Sequence, residues 1–296
     1  MATQIRDRQF QRALCDEGLY QDLTRHFIYD NAACQRGKGV DFSLDRMEEH
    51  LRRYYRKYGS EGWVLKCDVH HYFASTSHEV AKAAVRKRVE DDGVYQAVCQ
   101  IIDSFPGDAG IGLGSQVSQL IELAVLDDLD HRIKEQLHIR HYLRYMDDFI
   151  LVHPDKAYLQ DCLEDISVQL GLLGLELNKK TCIYPLKNGV KWLKWRFELT
   201  PTGKVIRHPE PTSLRRERKK LKNLKRLIDA GKVPQSAAID SFQSWAAGME
   251  RRRSKRNRKK RLKGGVVREG PSGRAVERMR LYYKQLYGKD PYVKDK

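Results

Sequence analysis

The sequence predicts an α+β fold, and three observations carry that expectation. Two short apolar stretches, His141 to Met146 and Phe149 to His153, flank the acids of Tyr145-Met146-Asp147-Asp148 like the arms of a hairpin. A mostly apolar strand, Trp63-Val64-Leu65-Lys66-Cys67-Asp68-Val69, ends in one carboxylate. Apolar residues recur at helical spacing from Leu120 and Ile121 through Leu123, Ala124, Leu126 and Leu129 to Ile133, and again at Leu214, Leu221, Leu224 and Leu227. Short strands mixed with longer helices fit a sheet packed on helices.

Taken in order, residues 1–58 read as helical. Arg36-Gly37-Lys38-Gly39 forms a basic turn ahead of the amphipathic run Leu44, Met47, Leu51 and Tyr55. The strand through Asp68 leads to Tyr72-Phe73 and then to Ser77, a helix cap with Glu79 and Val80 in the first turn. Gly110, Gly112 and Gly114 alternate with Ile111 and Leu113, which is poor material for an interior strand and implies close approach of a ligand to the backbone. No Gly-Lys-Ser/Thr closes the run, so a nucleotide-binding P-loop is excluded. Trp192 and Trp195 lie three apart with Lys191, Lys194 and Arg196 among them, and Phe197 and Leu199 carry an apolar strand toward Pro201-Thr202-Gly203. Phe242 and Trp245 mark a helix after the leucine run. A linker is expected from Gly264-Gly265 through Gly273, then a short helix from Met279 to Tyr287.

Two carboxylates at a hairpin tip repel unless a cation lies between them, so a hard divalent metal is their natural partner. An ordinary solvated turn reads equally well from these four residues. Asp68, at the end of a buried-looking strand, brings a second acid source. Carboxylates from different strands are what two-metal chemistry needs, with ions about 3.5–4 Å apart serving a 3′-hydroxyl and the leaving phosphates. Asp68 as a plain strand terminator is the alternative.

Lys and Arg number 56 against 39 acids, a formal charge of +17, and ten of the thirteen residues from Arg251 to Lys263 are basic. Such a field attracts a polyanion, with nucleic acid favoured over an acidic membrane surface. No apolar run approaches the length of a membrane span and no secretory leader is visible. Six scattered cysteines without a CxxC pair argue against a zinc site or a disulfide scaffold, and a cytoplasmic location is expected.

Asp68-Val69-His70-His71-Tyr72-Phe73, Gly110 through Gln119, and Tyr145-Met146-Asp147-Asp148 resemble, in that order, the three palm motifs of reverse transcriptases. Leu175 through Thr181 resembles the next palm motif, and Trp192-Leu193-Lys194-Trp195 the primer grip. The likeness spans about residues 25–250 and is nearest the bacterial and prophage enzymes of group II introns, retrons and diversity-generating elements. It implies a right-hand polymerase fold: partial fingers (1–58), palm with primer grip (59–200), helical basic thumb (201–263), then a linker and C-terminal helix (264–296). Asp68 and Asp147 are implied as principal ligands of magnesium or manganese, Asp148 as auxiliary acid and the Val69 carbonyl as a further ligand. Phe73 would exclude a ribose 2′-hydroxyl, Gln119 would touch template or nucleotide, and Lys180 would serve departing pyrophosphate, with Lys179 a neighbouring competitor.

This sequence departs from the family's usual proline at Gly112, asparagine at Ser115 and glycine at Lys194. Few residues precede the likeness, so the strands that hold the triphosphate are expected to be missing or reduced, as in a fragment or an enzyme completed by a partner. Arg36 and Lys38 are candidate replacements, with Arg6, Arg8, Arg12 and Arg25 beside them. The resemblance thus implies an RNA-directed DNA polymerase acting on RNA template, DNA primer or RNA–DNA duplex, and deoxynucleoside triphosphates. Two other readings stand beside it: a non-polymerising nucleic-acid-binding relative, and a basic scaffold subunit of an antiviral-defence or retroelement complex.

Overall fold

Alternation of side chains along four short strands decides how the first sheet is used. The computed structural model describes residues 5–112, 114–251 and 271–292. The chain divides into two compact units, Met1–Leu186 and Lys187–Lys296. In the first unit, β1 (Trp63–Asp68), β2 (His141–Tyr145), β3 (Asp148–His153) and β4 (Cys182–Pro185) form an antiparallel sheet in the order β2-β3-β1-β4. Leu65 and Cys67 of β1, Phe149 and Leu151 of β3, and Tyr142 of β2 belong to the main core. Lys66 and Asp68, at the alternate positions, are only half-buried.

Helices close that core. They are α1 (Ile5–Leu14), α2 (Tyr20–Thr24), α3 (Val40–Tyr58), α4 (Tyr72–Ser75), α5 (His78–Arg86), α6 (Asp92–Asp103), α7 (Gln116–Val125), α8 (Asp127–His131) and α9 (Lys156–Leu172). Cys15, Leu19 and Leu23 from the N-terminal helices, Val85 of α5, Leu120 and Ile121 of α7, and Leu159 and Ile166 of α9 are all fully buried. Each large apolar side chain among them stabilises the fold by roughly 1.5–3 kcal/mol. Ser77 caps α5 as its sequence context predicts, its hydroxyl accepting from the Val80 amide at 3.2 Å.

One expectation for this unit is corrected. The helix expected to run unbroken to Ile133 breaks at Leu126 (φ −97°, ψ 9°), where α7 ends and α8 begins. Gly112 also meets a constraint within the chain: a Cβ there would lie 2.2 Å from the Phe105 ring. Ser115 caps α7, accepting from the Val117 amide at 3.2 Å while donating to Gln11 Oε1 at 2.7 Å.

The second unit carries a three-stranded antiparallel sheet, β5 (Val190–Trp192), β6 (Trp195–Leu199) and β7 (Val205–Pro209), followed by α10 (Pro211–Asp229), α11 (Ser236–Arg251) and α12 (Pro271–Tyr287). Leu193 and Lys194 both take positive φ, 45° and 66°, as a two-residue type I′ hairpin requires. Lys194 therefore occupies a left-handed position that glycine would fill without strain. Trp192 and Trp195 are buried and paired across the turn, so they anchor the hairpin. Leu221, Phe242, Met279 and Tyr283 are buried on the three helices, with the Phe242 and Tyr283 ring centroids 5.5 Å apart. The C-terminal helix starts at Pro271, earlier than the expected linker allows, because proline suits a first helical position. Beyond Arg251, the basic run to Lys263 lies outside the described residues. No described helix is long and apolar enough to cross a membrane, and all six cysteines are free thiols.

Candidate active site

Strand register brings the three acids onto one end of the first sheet. Asp68, last in β1, lies directly opposite Asp148, first in β3, and Asp148 in turn pairs with Tyr145 of β2. Met146 and Asp147 form the turn between them. Met146 alone has positive φ, 58°, the sign pattern of a type II′ hairpin at a residue type that adopts it reluctantly. Two contacts support that turn: Arg144 donates to the Met146 carbonyl at 3.1 Å, and Cys34 Sγ lies 3.7 Å from Met146 Sδ. The Val69 amide donates to the Asp147 carbonyl at 3.3 Å, and the Asn178 amide to the Asp68 carbonyl at 2.7 Å. The sheet end, the turn and the 176–178 segment are thus tied by backbone bonds.

The electrostatics of this end are unbalanced. Burial, then the charges of Asp148 and Asp68, pushes the Asp147 carboxyl above its usual range, with Arg144 opposing. Burial likewise raises Asp148, and Asp68 adds to it, while Lys66 and Lys180 pull the other way. Lys66 Nζ stands 3.6 Å from Asp148 Oδ1. Among the described residues, no three His, Cys, Asp or Glu side chains approach closely enough to hold a metal ion as they stand. The donor chemistry nevertheless fits a hard divalent cation: oxygen ligands only, carried by facing strands and the turn beside them, with Asp68 raising the proton affinity of both Asp147 and Asp148.

The remaining predicted residues are distributed around this end and beyond it. Phe73 is half-buried against the main core, its carbonyl accepting from the Ile111 amide at 2.7 Å, which links it to the glycine run. Gln119 is half-buried in the first turns of α7. Lys180 is exposed, its amide held by the Asn178 side chain at 3.1 Å and its charge felt by Asp148. Arg36 bonds Asp16 at 2.8 Å and lies over the Tyr20 ring. The Lys38 ammonium donates to the Tyr29 and Asn31 carbonyls at 3.1 and 2.8 Å, and burial brings its pKa down to about 8. Both cations are engaged within the N-terminal segment, and nothing brings either to the three acids.

Sequence reasoning missed the polar groups beneath the turn. Arg144 and Asp130 are fully buried and joined by two bonds, Nη2 to Oδ2 at 2.6 Å and Nε to Oδ1 at 2.7 Å, and the Tyr142 hydroxyl adds a third to Asp130 at 2.5 Å. The signal was present: an arginine at a core-facing position of an otherwise apolar strand demands a buried acid. Glu122, fully buried on α7, accepts from the Thr76 hydroxyl at 3.0 Å, and burial pushes its pKa up to about 8. Lys66, two residues before Asp68, was read only as part of a strand.

Apo telomerase from Candida tropicalis superposes with a TM-score of 0.53 at 14% identity, over 81% of this chain and 43% of that one. Telomerase from Candida albicans in complex with a telomeric RNA fragment gives 0.49 at 11% identity, over 95% and 51%. The RNA-dependent RNA polymerase of a human picorbirnavirus gives 0.44 at 14% identity, over 82% and 50%. The chain thus spans about half, or less, of the length of these structures. No curated protein matches it in sequence. Residues 4–197 match the family described as Reverse transcriptase (RNA-dependent DNA polymerase), a stretch that begins ahead of the start at residue 25 expected from the motifs and contains all three acids. The chain belongs to the reverse transcriptase family.

Proposed function

We propose that this chain is an RNA-directed DNA polymerase that adds deoxynucleotides to a primer 3′-hydroxyl on an RNA template. The observation that carries the reading is the meeting of Asp68, Asp147 and Asp148 at one sheet end with more negative charge than their neighbours offset. Asp68, Asp147 and the Val69 carbonyl would hold magnesium or manganese, with Asp148 auxiliary. Bound there, the cations would activate the 3′-hydroxyl and offset charge on the leaving phosphates. Phe73, in the short helix α4 that follows Asp68, would exclude a 2′-hydroxyl by bulk. Lys180, exposed and electrostatically coupled to Asp148, would offset charge on pyrophosphate, and Gln119 would meet template or nucleotide. Of the two N-terminal cations, Arg36, whose side chain is 69% exposed, is the better placed to meet a triphosphate. In the right-hand scheme, residues 1–58 would serve as partial fingers, 59–200 as palm with primer grip, and 201–263 as thumb, in an enzyme of the bacterial or prophage retroelement type.

Purified chain given primed RNA, deoxynucleotides and magnesium should extend the primer, and Asp147→Asn should lower the rate at least about a hundredfold, some 2.7 kcal/mol. Primer–template affinity should barely change, because dispersed phosphate contacts carry it. In the same assay, Phe73→Ala should admit ribonucleotides more readily. Failure of the wild type to extend, beside an active control enzyme, would sink the proposal. A second reading, a family member that binds primed duplex without polymerising, draws support from the separation of the three carboxylates. It requires binding with a steep salt dependence and no extension by either protein.

A further inference from the structure

We propose that Lys66 is the positioning residue of this acid cluster, an internal cation that holds the Asp148 carboxylate aside from Asp68 and Asp147 and competes with a divalent metal for it. The inference rests on the metal-dependent reading above. Lys66 precedes Asp68 by two residues on β1, so both side chains leave the strand on the same face. Asp148 lies opposite Asp68, diagonally within reach of Lys66, whose Nζ stands 3.6 Å from Asp148 Oδ1 with the two side chains 31% and 33% exposed. Among the described residues, Lys66 is the one ion-pair partner of any of the three acids. Its cross-strand neighbours, Ile150 and Cys182, are not acids, so no other carboxylate on the adjoining strands draws the ammonium elsewhere.

That pairing gives a physical reason why three acids share one sheet end without converging as a ligand set. The carboxylate of Asp148 is drawn along the sheet toward Lys66, leaving Asp68 and Asp147 to face each other's charge. A divalent cation entering the site meets the ammonium's repulsion and must outbid it for Asp148. Removing the ammonium charge while keeping a long unbranched side chain should therefore tighten metal binding. Two unit charges a few ångströms apart in a half-solvated site interact strongly enough for a change of about tenfold.

Manganese titration followed by electron paramagnetic resonance tests this on the full chain without nucleic acid. Lys66→Met should bind manganese about tenfold more tightly than wild type, Lys66→Arg should match wild type, and Lys66→Met combined with Asp148→Asn should tighten clearly less over Asp148→Asn alone, because only the direct repulsion is then removed. Equal affinity in wild type and Lys66→Met, absence of manganese binding from both, or equal tightening in the Asp148→Asn background would overturn the proposal. Primer extension is scored separately. An inactive wild type with tightened manganese binding in Lys66→Met removes the polymerase reading and keeps Lys66, while an active wild type with unchanged manganese binding does the reverse.

Discussion

Asp130, on α8, bonds β2 of the hairpin whose turn holds Asp147, and the surroundings of the two acids differ in kind. Asp130 is fully buried and saturated, with two bonds from Arg144 and one from the Tyr142 hydroxyl. Asp147 is half-buried, has two like charges beside it, and has no ion-pair partner among the described residues. A buried charge that is fully matched holds structure together, whereas charges gathered without a match store electrostatic free energy that a ligand can release. Arg144 joins the two regions: one face of its guanidinium neutralises Asp130, and Nη1 holds the Met146 carbonyl in the strained turn. The saturated layer thus supports the unsaturated one.

The sharpest break of this contrast is to remove Arg144. Arg144→Ala strands a buried carboxylate and frees the turn carbonyl, and should destabilise the fold by about 3–5 kcal/mol in urea unfolding. A loss under about 1 kcal/mol would show that Asp130 finds other partners and that the saturated layer is not a support. Asp147→Asn should do the opposite on the same measurement, leaving the unfolding midpoint unchanged or higher, because it removes a charge surrounded by like charges. A marked drop would move Asp147 into the structural class.

Glu122 gives a finer test, since it is buried like Asp130 yet has no ion pair among the described residues, only the more distant charge of Arg144. Burial pushes its carboxyl up to about 8, above the 4.5 of a solvated glutamate, so the folded state keeps a proton that the unfolded state releases. Stability contributed by this group is therefore full below about 4.5 and lost as pH rises through about 8. Glu122→Gln should abolish that loss, gaining on wild type by roughly 3.5 kcal/mol between pH 5 and pH 8. Parallel pH profiles for the two proteins would show that the carboxylate is already charged, matched by a partner.

The strands on either side of Asp147, the carboxylate closing β1, the Ser77 cap and the α10 leucine run were legible in the sequence, because each depends on alternation, helical period or local turn chemistry. Three motifs in order also made the family legible, since spacing between acids survives translation into strand register. Less local features were not. The packing constraint on Gly112 exists only once Phe105 folds against it, and the α7 helix reads as continuous until the chain turns at Leu126. Lys66, Arg144 and Glu122 are ordinary letters in a one-dimensional string. Their roles depend on which strand lies opposite and how much water is excluded, and Coulomb interactions act through space between residues far apart in sequence. Local sequence therefore determined the elements and the acids they carry, and tertiary packing alone decided which charges are matched and which are left open.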